Sequence, residues 1–183
     1  MASELMNPWR QRQRRKRRGG YREHDLLITR TNLALCLFHL GRTAESLRMR
    51  REIFAASSRL LGPDHENTIV DAINLSESLI DAELFEEART LLRDYIPRSR
   101  RTHGDRHDMT LTLRSNYAEA IYRDTSCSLS DVHEAVAILE DVLRTTRQVF
   151  GVQHPNFADY QEELESARMR LAYDESESRE ADA

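Results

Sequence analysis

The stretch Asn32–His65 reads NLALCLFHLGRTAESLRMRREIFAASSRLLGPDH, and the chain repeats its pattern. Three landmarks of the pattern return after a fixed interval of 42 residues, as Asn32, Gly62 and His65 and then Asn74, Gly104 and His107. A third copy begins at Asn116, but its glycine and histidine come five residues late, which indicates an insertion near residues 124–131. A fixed period of roughly 20–50 residues is the signature of stacked repeats. The sequence therefore predicts a repeat protein.

Each repeat is predicted to form a pair of helices. Apolar residues recur at helical spacing in two blocks, and Gly41 separates the blocks of the first repeat, where a left-handed glycine can end a helix. The short connection favours antiparallel packing of the two helices. After the third repeat, one more helix is predicted over about residues 156–173. Its apolar stripe is formed by Phe157, Tyr160, Leu164, Ala167 and Leu171, with polar residues around it, as a terminal capping helix requires.

Two local details can also be predicted. Pro97 lies late in the second helix of the second repeat and is expected to kink or end that helix, since an interior proline costs about 3 kcal/mol. Asp131 is the expected N-cap of the second helix of the third repeat, with Glu134 at capping-box spacing.

The composition favours an intracellular protein that does not span a membrane. The chain is 39% hydrophobic and 32% charged, which suits helices with large solvated faces, and no apolar run approaches the roughly 20 residues of a membrane span. The cytoplasm is the expected compartment, with the nucleus as the alternative. Two cysteines are too few for a disulfide framework, so we expect Cys36 to be a packed small side chain and Cys127 an exposed loop thiol.

The net charge of −4 hides a basic arm on an acidic body. Residues 1–23 carry eight basic and two acidic residues, which leaves a charge of −10 on the remainder. The basic cluster consists of Arg10, Arg12, Arg14, Arg15, Lys16, Arg17 and Arg18. It reads as a solvated tail, a nuclear-import-like address or a patch for an anionic partner. We expect a disordered arm over residues 1–22, a folded domain over residues 23–173 and a disordered acidic tail over residues 174–183.

The repeated motif resembles the tetratricopeptide repeats of the kinesin light chain. The resemblance rests on Asn-Leu-Ala, Gly and Glu-Ala within the helix pair, and on the Leu-Gly-x-x-His turn with a 42-residue period. It covers about residues 24–173 and implies an all-α, right-handed α-solenoid of three helix-turn-helix repeats plus a C-terminal capping helix. The chain departs from the family at Glu83 and Thr125, which replace the hinge glycine, and at Arg50, where a large apolar residue usually packs.

The resemblance also implies a binding site. In such repeats the first helix of each pair lines a concave groove that binds a peptide or partner helix, so the chain is expected to be a non-catalytic interaction module or adaptor. The implied groove residues are Asn32, Leu35, Phe38 and His39 from the first repeat, Asn74, Glu77 and Asp81 from the second, and Asn116, Glu119, Tyr122 and Arg123 from the third. The three asparagines share one repeat position and could form a ladder that bonds a peptide backbone. The alternative is that each asparagine bonds within its own scaffold.

The charge of these positions favours a basic or apolar peptide over an acidic one. The arm of residues 10–18 is itself such a peptide and could visit the groove. The other function that we consider is binding of nucleic acid or an anionic surface, through the arm only. Neither an enzyme nor a cofactor is expected. His65, His107 and His154 lie in successive layers, about 8–10 Å apart, too far to share a metal ion, and are predicted to be turn residues that cap helices. The partner, the oligomeric state and membership of a longer scaffold are open at this point.

Overall fold

The computed structural model describes residues 26–181, and within them all regular secondary structure is helical, with no strand. The helices are α1 (residues 26–39), α2 (Thr43–Leu60), α3 (Glu66–Asp81), α4 (Phe85–His103), α5 (Asp108–Tyr122), α6 (Leu129–Val149) and α7 (Phe157–Ala181). Consecutive helices pack against each other from α2 to α7. Three helix pairs and one final helix thus form the predicted α-solenoid. The basic arm lies outside the described residues.

The helices form two layers, and the first helices of the pairs make the tighter one. The backbones of α3 and α5 lie against each other, as do those of α5 and α7. The helices α2 and α4 meet instead through side chains, such as Arg51 with Glu87 at 2.6 Å and Phe54 with Tyr95 at 5.4 Å between ring centroids. A stack that is closer on one side than on the other curves toward the closer side. The layer of α3, α5 and α7 is therefore the concave one.

The turns between repeats use the same device three times. The imidazole Nδ1 atoms of His65, His107 and His154 each accept a hydrogen bond from the backbone N–H two residues later, at 3.2, 3.3 and 3.3 Å. His65 and His107 are the N-caps of α3 and α5. Such bonds satisfy amide groups that a helix leaves unpaired at its start. The prediction that these histidines cap helices is confirmed for His65 and His107, while His154 makes the same bond in the turn before α7.

The hinge within a pair differs between repeats. Gly41 adopts a φ of 73° after α1, and Glu83, at the equivalent position, adopts a φ of 58° although it carries a side chain. In the third repeat, the five inserted residues replace this hinge by a loop. Ser128, and not Asp131 as predicted, is the N-cap of α6, because the Ser128 hydroxyl and the Asp131 carboxylate form a reciprocal capping box.

The ends of α4 and α7 bear on two predictions. The helix α4 continues through Pro97 to His103, so the proline does not end the helix, which was one of the two outcomes predicted for it. Beyond the proline, a hydrogen bond of 2.7 Å joins the hydroxyls of Ser99 and Thr110. The tail after residue 173 was predicted to be disordered, but α7 extends to Ala181. Side-chain pairs one helical turn apart support this extension, among them Arg170 with Asp174 at 2.7 Å and Tyr173 with Glu177 at 2.6 Å.

Candidate functional site

The concave surface carries a cluster of carboxylates from the three helices α3, α5 and α7. Glu77 on α3 and Glu119 on α5 occupy the same repeat position, and Glu163 on α7 lies close enough to both for their charges to act on it. Glu119 helps to raise the pKa of Glu77, and Glu119 and Glu77 both help to raise the pKa of Glu163. The structure therefore brings the acidic groove residues of the second and third repeats together and adds Glu163 to them.

Glu163 is the most perturbed member of this cluster. Burial raises its pKa to about 7, and Glu119, Asp159 and Glu77 add to the rise, while the hydroxyl of Ser115, which donates a hydrogen bond to Glu163 Oε2, opposes it. Glu163 thus changes its charge near neutral pH. The negative charge of the groove depends on pH in the physiological range.

Glu77 and Glu119 are shifted in the same direction. Burial is the main cause of the raised pKa of each. The Glu77 side chain keeps 45% of its surface exposed, so its burial comes from the surrounding walls of the concave surface and not from direct coverage. Two arginines oppose these shifts. Arg123 Nη1 lies 2.9 Å from Glu119 and 3.7 Å from Asp81, and Arg50 Nη1 lies 3.7 Å from Glu77.

Arg50 reaches the groove from the outer layer. It belongs to α2, at the position that Leu92 and Leu139 fill in the next two repeats, and those leucines are fully buried. Arg50 is only 8% exposed, and its guanidinium donates to the backbone carbonyl of Asn74. A residue that breaks the apolar pattern of the repeat therefore adds a positive charge beside the carboxylates. Its departure from the pattern was visible in the sequence, but its reach into the groove was not.

The three asparagines do not have equal surroundings. Asn32 is exposed and Asn74 is half-buried, whereas Asn116 is 5% exposed and its amide donates a hydrogen bond of 2.9 Å to the Ser76 hydroxyl. That bond ties α5 to α3 within the scaffold. Asn32 and Asn74 keep surface that a ligand could contact, and Asn116 keeps little.

The first repeat lines the apolar end of the groove. Leu35 is 45% exposed, and half-buried Phe38 meets exposed His39 edge to face at 5.8 Å between ring centroids. At the N-terminal half of α1, a cleft of about 160 Å³ opens against α2 and α3. It is lined by Leu27, Ile28, Thr31, Asn32, Ser57, Leu61, Asn67, Val70 and Asp71. At the opposite end, burial raises the pKa of the half-buried Tyr122, with Glu119 and Glu163 as further causes.

Glu163 and Arg50 are the groove residues that the sequence interpretation missed. The repeat itself contains the signal for Glu163: the third histidine, His154, follows His107 after 47 residues, and the same step from Asn116 leads to Glu163. Glu163 therefore stands at the asparagine position of α7. Treating α7 only as a cap hid this equivalence.

The described residues also bear on two other kinds of feature, a metal site and a membrane span. Across residues 26–181, no three histidine, cysteine, aspartate or glutamate side chains are placed to hold a metal ion. None of the helices in this range is both long enough and apolar enough to cross a bilayer.

Comparison with known proteins agrees with this architecture. Two models of the tetratricopeptide repeat match the sequence, over residues 25–101 and 125–156, and together they cover more than half of the chain. No curated protein matches it. Two similar solved structures are crystal structures of a putative kinesin light chain of Podosopora anserina with nearly identical TPR-like repeats, one of them of a single-substitution variant. Both are 21% identical to this chain, and each match covers 82% of it. The variant matches with a TM-score of 0.63 over 68% of its own chain, and the other structure with a TM-score of 0.61 over 69% of its own chain.

At that identity the two structures establish the fold, while the repeat models establish the family. The predicted resemblance to kinesin-light-chain repeats is confirmed as a likeness of architecture. The chain belongs to the tetratricopeptide-repeat family, whose fold is a scaffold for protein–protein interaction.

Proposed function

We propose that this chain binds an extended peptide or a partner helix in its concave groove, with a basic or apolar ligand preferred over an acidic one. The proposal rests on one observation above all. Glu77, Glu119 and Glu163 line the concave layer with raised pKa values, and only Arg50 and Arg123 pair with the groove carboxylates of α3 and α5 among the described residues.

The electrostatics favour this choice of ligand. Carboxylates held partly buried and close together are destabilised as anions, and a cationic side chain that enters the cluster relieves that repulsion. An acidic peptide would add to it. The exposed apolar side chains of the first repeat, Ile28 at 50% and Leu35 at 45%, would receive the apolar part of the same ligand.

We propose no chemical step at this site. The groove residues form contacts suited to binding. We identify among them no pair of a nucleophile and a base, which catalysis of acyl or phosphoryl transfer needs. A non-catalytic adaptor is therefore the function that we propose. That it acts inside the cell stays a prediction.

The test is a titration of three fluorescently labelled nine-residue peptides, one basic, one apolar and one acidic, followed by anisotropy at low salt. The double variant Glu77→Gln, Glu119→Gln should weaken binding of the basic peptide about tenfold, since each groove carboxylate contributes roughly 0.5–1 kcal/mol. The matched control is Glu134→Gln, Glu165→Gln, which removes the same charge from exposed positions on α6 and α7. Equal affinities in both double variants, or tighter binding of the acidic peptide, would contradict the proposal.

The basic arm needs a separate experiment. Replacing Arg14, Arg15, Arg17 and Arg18 by glutamine keeps the full chain and removes the charge that could occupy the groove. If the arm competes for the groove, this variant binds the basic peptide more tightly than the native chain. If the arm instead binds nucleic acid, the same variant loses affinity for a labelled oligonucleotide and its salt dependence.

A further inference from the structure

The turns that connect successive repeats lie along one edge of the solenoid, which we name the turn edge. Neighbouring helices are antiparallel, so α2, α4 and α6 end at this edge and α3, α5 and α7 begin there. The hinges within the helix pairs lie along the opposite edge, which we name the hinge edge. The helices α2 to α6 are 15–21 residues long, so at about 1.5 Å per residue the two edges are about 20–30 Å apart.

The hinge edge is far more negative than the turn edge. Six basic and five acidic side chains of the turn edge fall within residues 56–70, 98–112 and 145–159. Five basic and eleven acidic side chains of the hinge edge fall within the stretches 37–47, 79–89, 121–136 and 168–178. Exposed charges more than a Debye length of about 8 Å apart are largely screened at physiological salt. An anion at the turn edge is therefore shielded from the negative charge of the hinge edge.

Three arginines of the turn edge have no ionic partner. Within residues 26–181, the arginines that take part in no ion pair are Arg48, Arg59, Arg106 and Arg147. All but Arg48 lie at the turn edge, where each is exposed and each belongs to a different one of the three turns between repeats. An exposed and unpaired guanidinium keeps its five N–H donors for a ligand.

Two further arginines extend this series of positive charges along the edge. Arg101 stands one repeat after the first of the three unpaired arginines, and Arg100 stands one repeat before the last of them. Arg101 lies 3.3 Å from Asp64 and Arg100 lies 2.6 Å from Asp105, and each of these four side chains is at least 48% exposed. Exposed ion pairs are weak, so a phosphate group can replace either carboxylate.

The basic arm joins the fold at this same edge. Leu26 and Leu27, at the start of α1, line one cleft together with Arg59 and Leu60 at the end of α2. The 16 residues that separate Arg10 from Leu26 span at most about 55 Å. The three turns and the start of α1 extend over roughly 30 Å, because packed helices lie about 8–10 Å apart. The basic cluster is therefore long enough to follow the whole turn edge.

We infer that the turn edge and the basic arm together bind the phosphate backbone of a nucleic acid, without reading its base sequence. The phosphates of a strand follow one another in a line, as the arginines of successive turns do, and a guanidinium binds a phosphate through two parallel hydrogen bonds. A lipid surface is flat and would also meet the acidic side chains of this edge. The inference does not depend on the ligand proposed for the groove.

Binding of the full chain to a labelled DNA duplex of about 20 base pairs, followed by anisotropy from about 20 to 200 mM NaCl, tests the inference. Each phosphate contact adds about 0.9 to the slope of the logarithm of the association constant against the logarithm of the salt concentration. The triple variant Arg59→Gln, Arg106→Gln, Arg147→Gln should lower that slope by about 2–3 and weaken binding at low salt at least about tenfold. Circular dichroism should stay unchanged, since the three side chains are exposed and unpaired.

The matched control is the triple variant Arg48→Gln, Arg168→Gln, Arg179→Gln. It removes the same charge from exposed arginines of α2 and α7 that lie outside the turn edge. The slope should change by less than about 1 in this control, because its arginines contact no phosphate. Replacing Arg14, Arg15, Arg17 and Arg18 by glutamine should lower the slope as the turn-edge variant does, since the arm and the edge bind one backbone.

Three results would overturn the inference. Absence of salt-dependent binding to the duplex would exclude a phosphate-binding surface. Equal slopes in the two triple variants would show that the turn edge makes no phosphate contact, even if the arm does. Tighter binding to vesicles that contain phosphatidylserine than to the duplex, lost in the turn-edge variant, would assign the edge to an anionic membrane instead.

Discussion

Arg89 offers the sharpest test of how the inserted loop is held. It occupies the position of Leu47 and Val136 in the neighbouring repeats, so the repeat pattern calls for an apolar residue there. Arg89 is 8% exposed, and its Nη1 donates to the backbone carbonyl of Ala120 and to Asp124 Oδ2, both at 2.8 Å. On its other side the guanidinium binds Glu86 at 2.7 Å. We predict that Arg89→Leu destabilises the protein although it restores the apolar pattern.

The expected loss of stability in Arg89→Leu follows from Asp124, which the variant leaves without its arginine partner. Removing one partner of a buried ion pair costs about 3–5 kcal/mol. Asp124 keeps two bonds from Ser126, at 2.9 and 2.6 Å, and its side chain is 14% exposed, so the cost lies at the lower end of that range. Burial of the new leucine returns roughly 1 kcal/mol. The expected loss in the free energy of unfolding is about 2–3 kcal/mol, measured by urea unfolding with circular dichroism.

Arg50→Leu is the matched control, because Arg50 also interrupts an apolar position. Its partner Glu77 is 45% exposed and 3.7 Å away, and burial lowers the pKa of Arg50. Among the described residues, Arg50 Nε has no hydrogen-bond partner. Replacing such a cation by an apolar side chain should change the stability by less than about 1 kcal/mol. Adding Asp124→Asn to Arg89→Leu should recover about 1–2 kcal/mol, since the buried charge is then gone.

The dependence of stability on pH at acidic pH gives an independent check of the role of Arg89. Burial opposes ionisation of Asp124, but the hydrogen bonds from Ser126 and Arg89 outweigh it and lower the pKa to about 2. A lowered carboxyl pKa stabilises the fold above the unfolded value of about 3.9 and loses that effect as the pH falls through 2. The difference between the native chain and Arg89→Leu should therefore shrink from pH 4 to pH 2. A loss below 1 kcal/mol at pH 7, or an equal loss in Arg50→Leu, would refute this reasoning.

Three further changes have defined outcomes. Glu83→Gly should raise the free energy of unfolding by about 0.5–1 kcal/mol, because Glu83 has a φ of 58° that only glycine adopts without strain; Glu83→Ala should not do so. Glu163→Gln should stabilise the chain by about 1–3 kcal/mol at pH 8 and hardly at pH 4. The folded pKa of Glu163 is raised to about 7, so the carboxyl of the native chain destabilises the fold increasingly as the pH rises from the unfolded pKa of about 4.3 to 7. Equal effects at both pH values would contradict the shift. His107→Ala should cost about 0.5–1 kcal/mol and His107→Asn less, since asparagine is also an N-cap acceptor; an unchanged midpoint for His107→Ala would exclude the capping role.

The periodic part of the sequence was sufficient to predict the scaffold. The recurrence of asparagine, glycine and histidine located the helix pairs, and the stripe from Tyr160 to Leu171 identified α7 as a helix that packs on the third repeat. The cap of α6 could not be predicted in the same way. Ser128 and Asp131 are both good N-cap residues three positions apart, and in the reciprocal capping box each accepts the other's backbone N–H, so the residue types alone do not tell which of them is the N-cap.

Burial at the ends of the stack was harder to predict than burial inside it. Cys36 was expected to be packed and Cys127 to be exposed, and the structure shows the reverse tendency: Cys36 is exposed and Cys127 half-buried, with its Sγ 3.3 Å from Arg89 Nη1. Cys36 lies at a position that is buried in each later repeat. The sequence pattern gives the position within a repeat, but exposure also depends on whether a neighbouring repeat is present. Among the described residues no repeat precedes α1, and Cys36 on α1 is exposed for that reason.

The groove depends both on residues that follow the repeat pattern and on one that departs from it. The repeat period relates Glu77 to Glu119, and counting the five-residue insertion places Glu163 at the position of Asn116. Arg50, which departs from the repeat pattern, lowers the pKa of Glu77 against the effect of burial. An apolar residue at position 50 would leave Glu77 without its nearest cation, and the cluster of Glu77, Glu119 and Glu163 would be more negative and more costly to hold in the ionised form. Arg50 therefore acts on the groove's charge, while Arg89, with its buried partner, acts on the fold. Two arginines at apolar positions of one repeat pattern thus have separate roles because one partner is exposed and the other is buried.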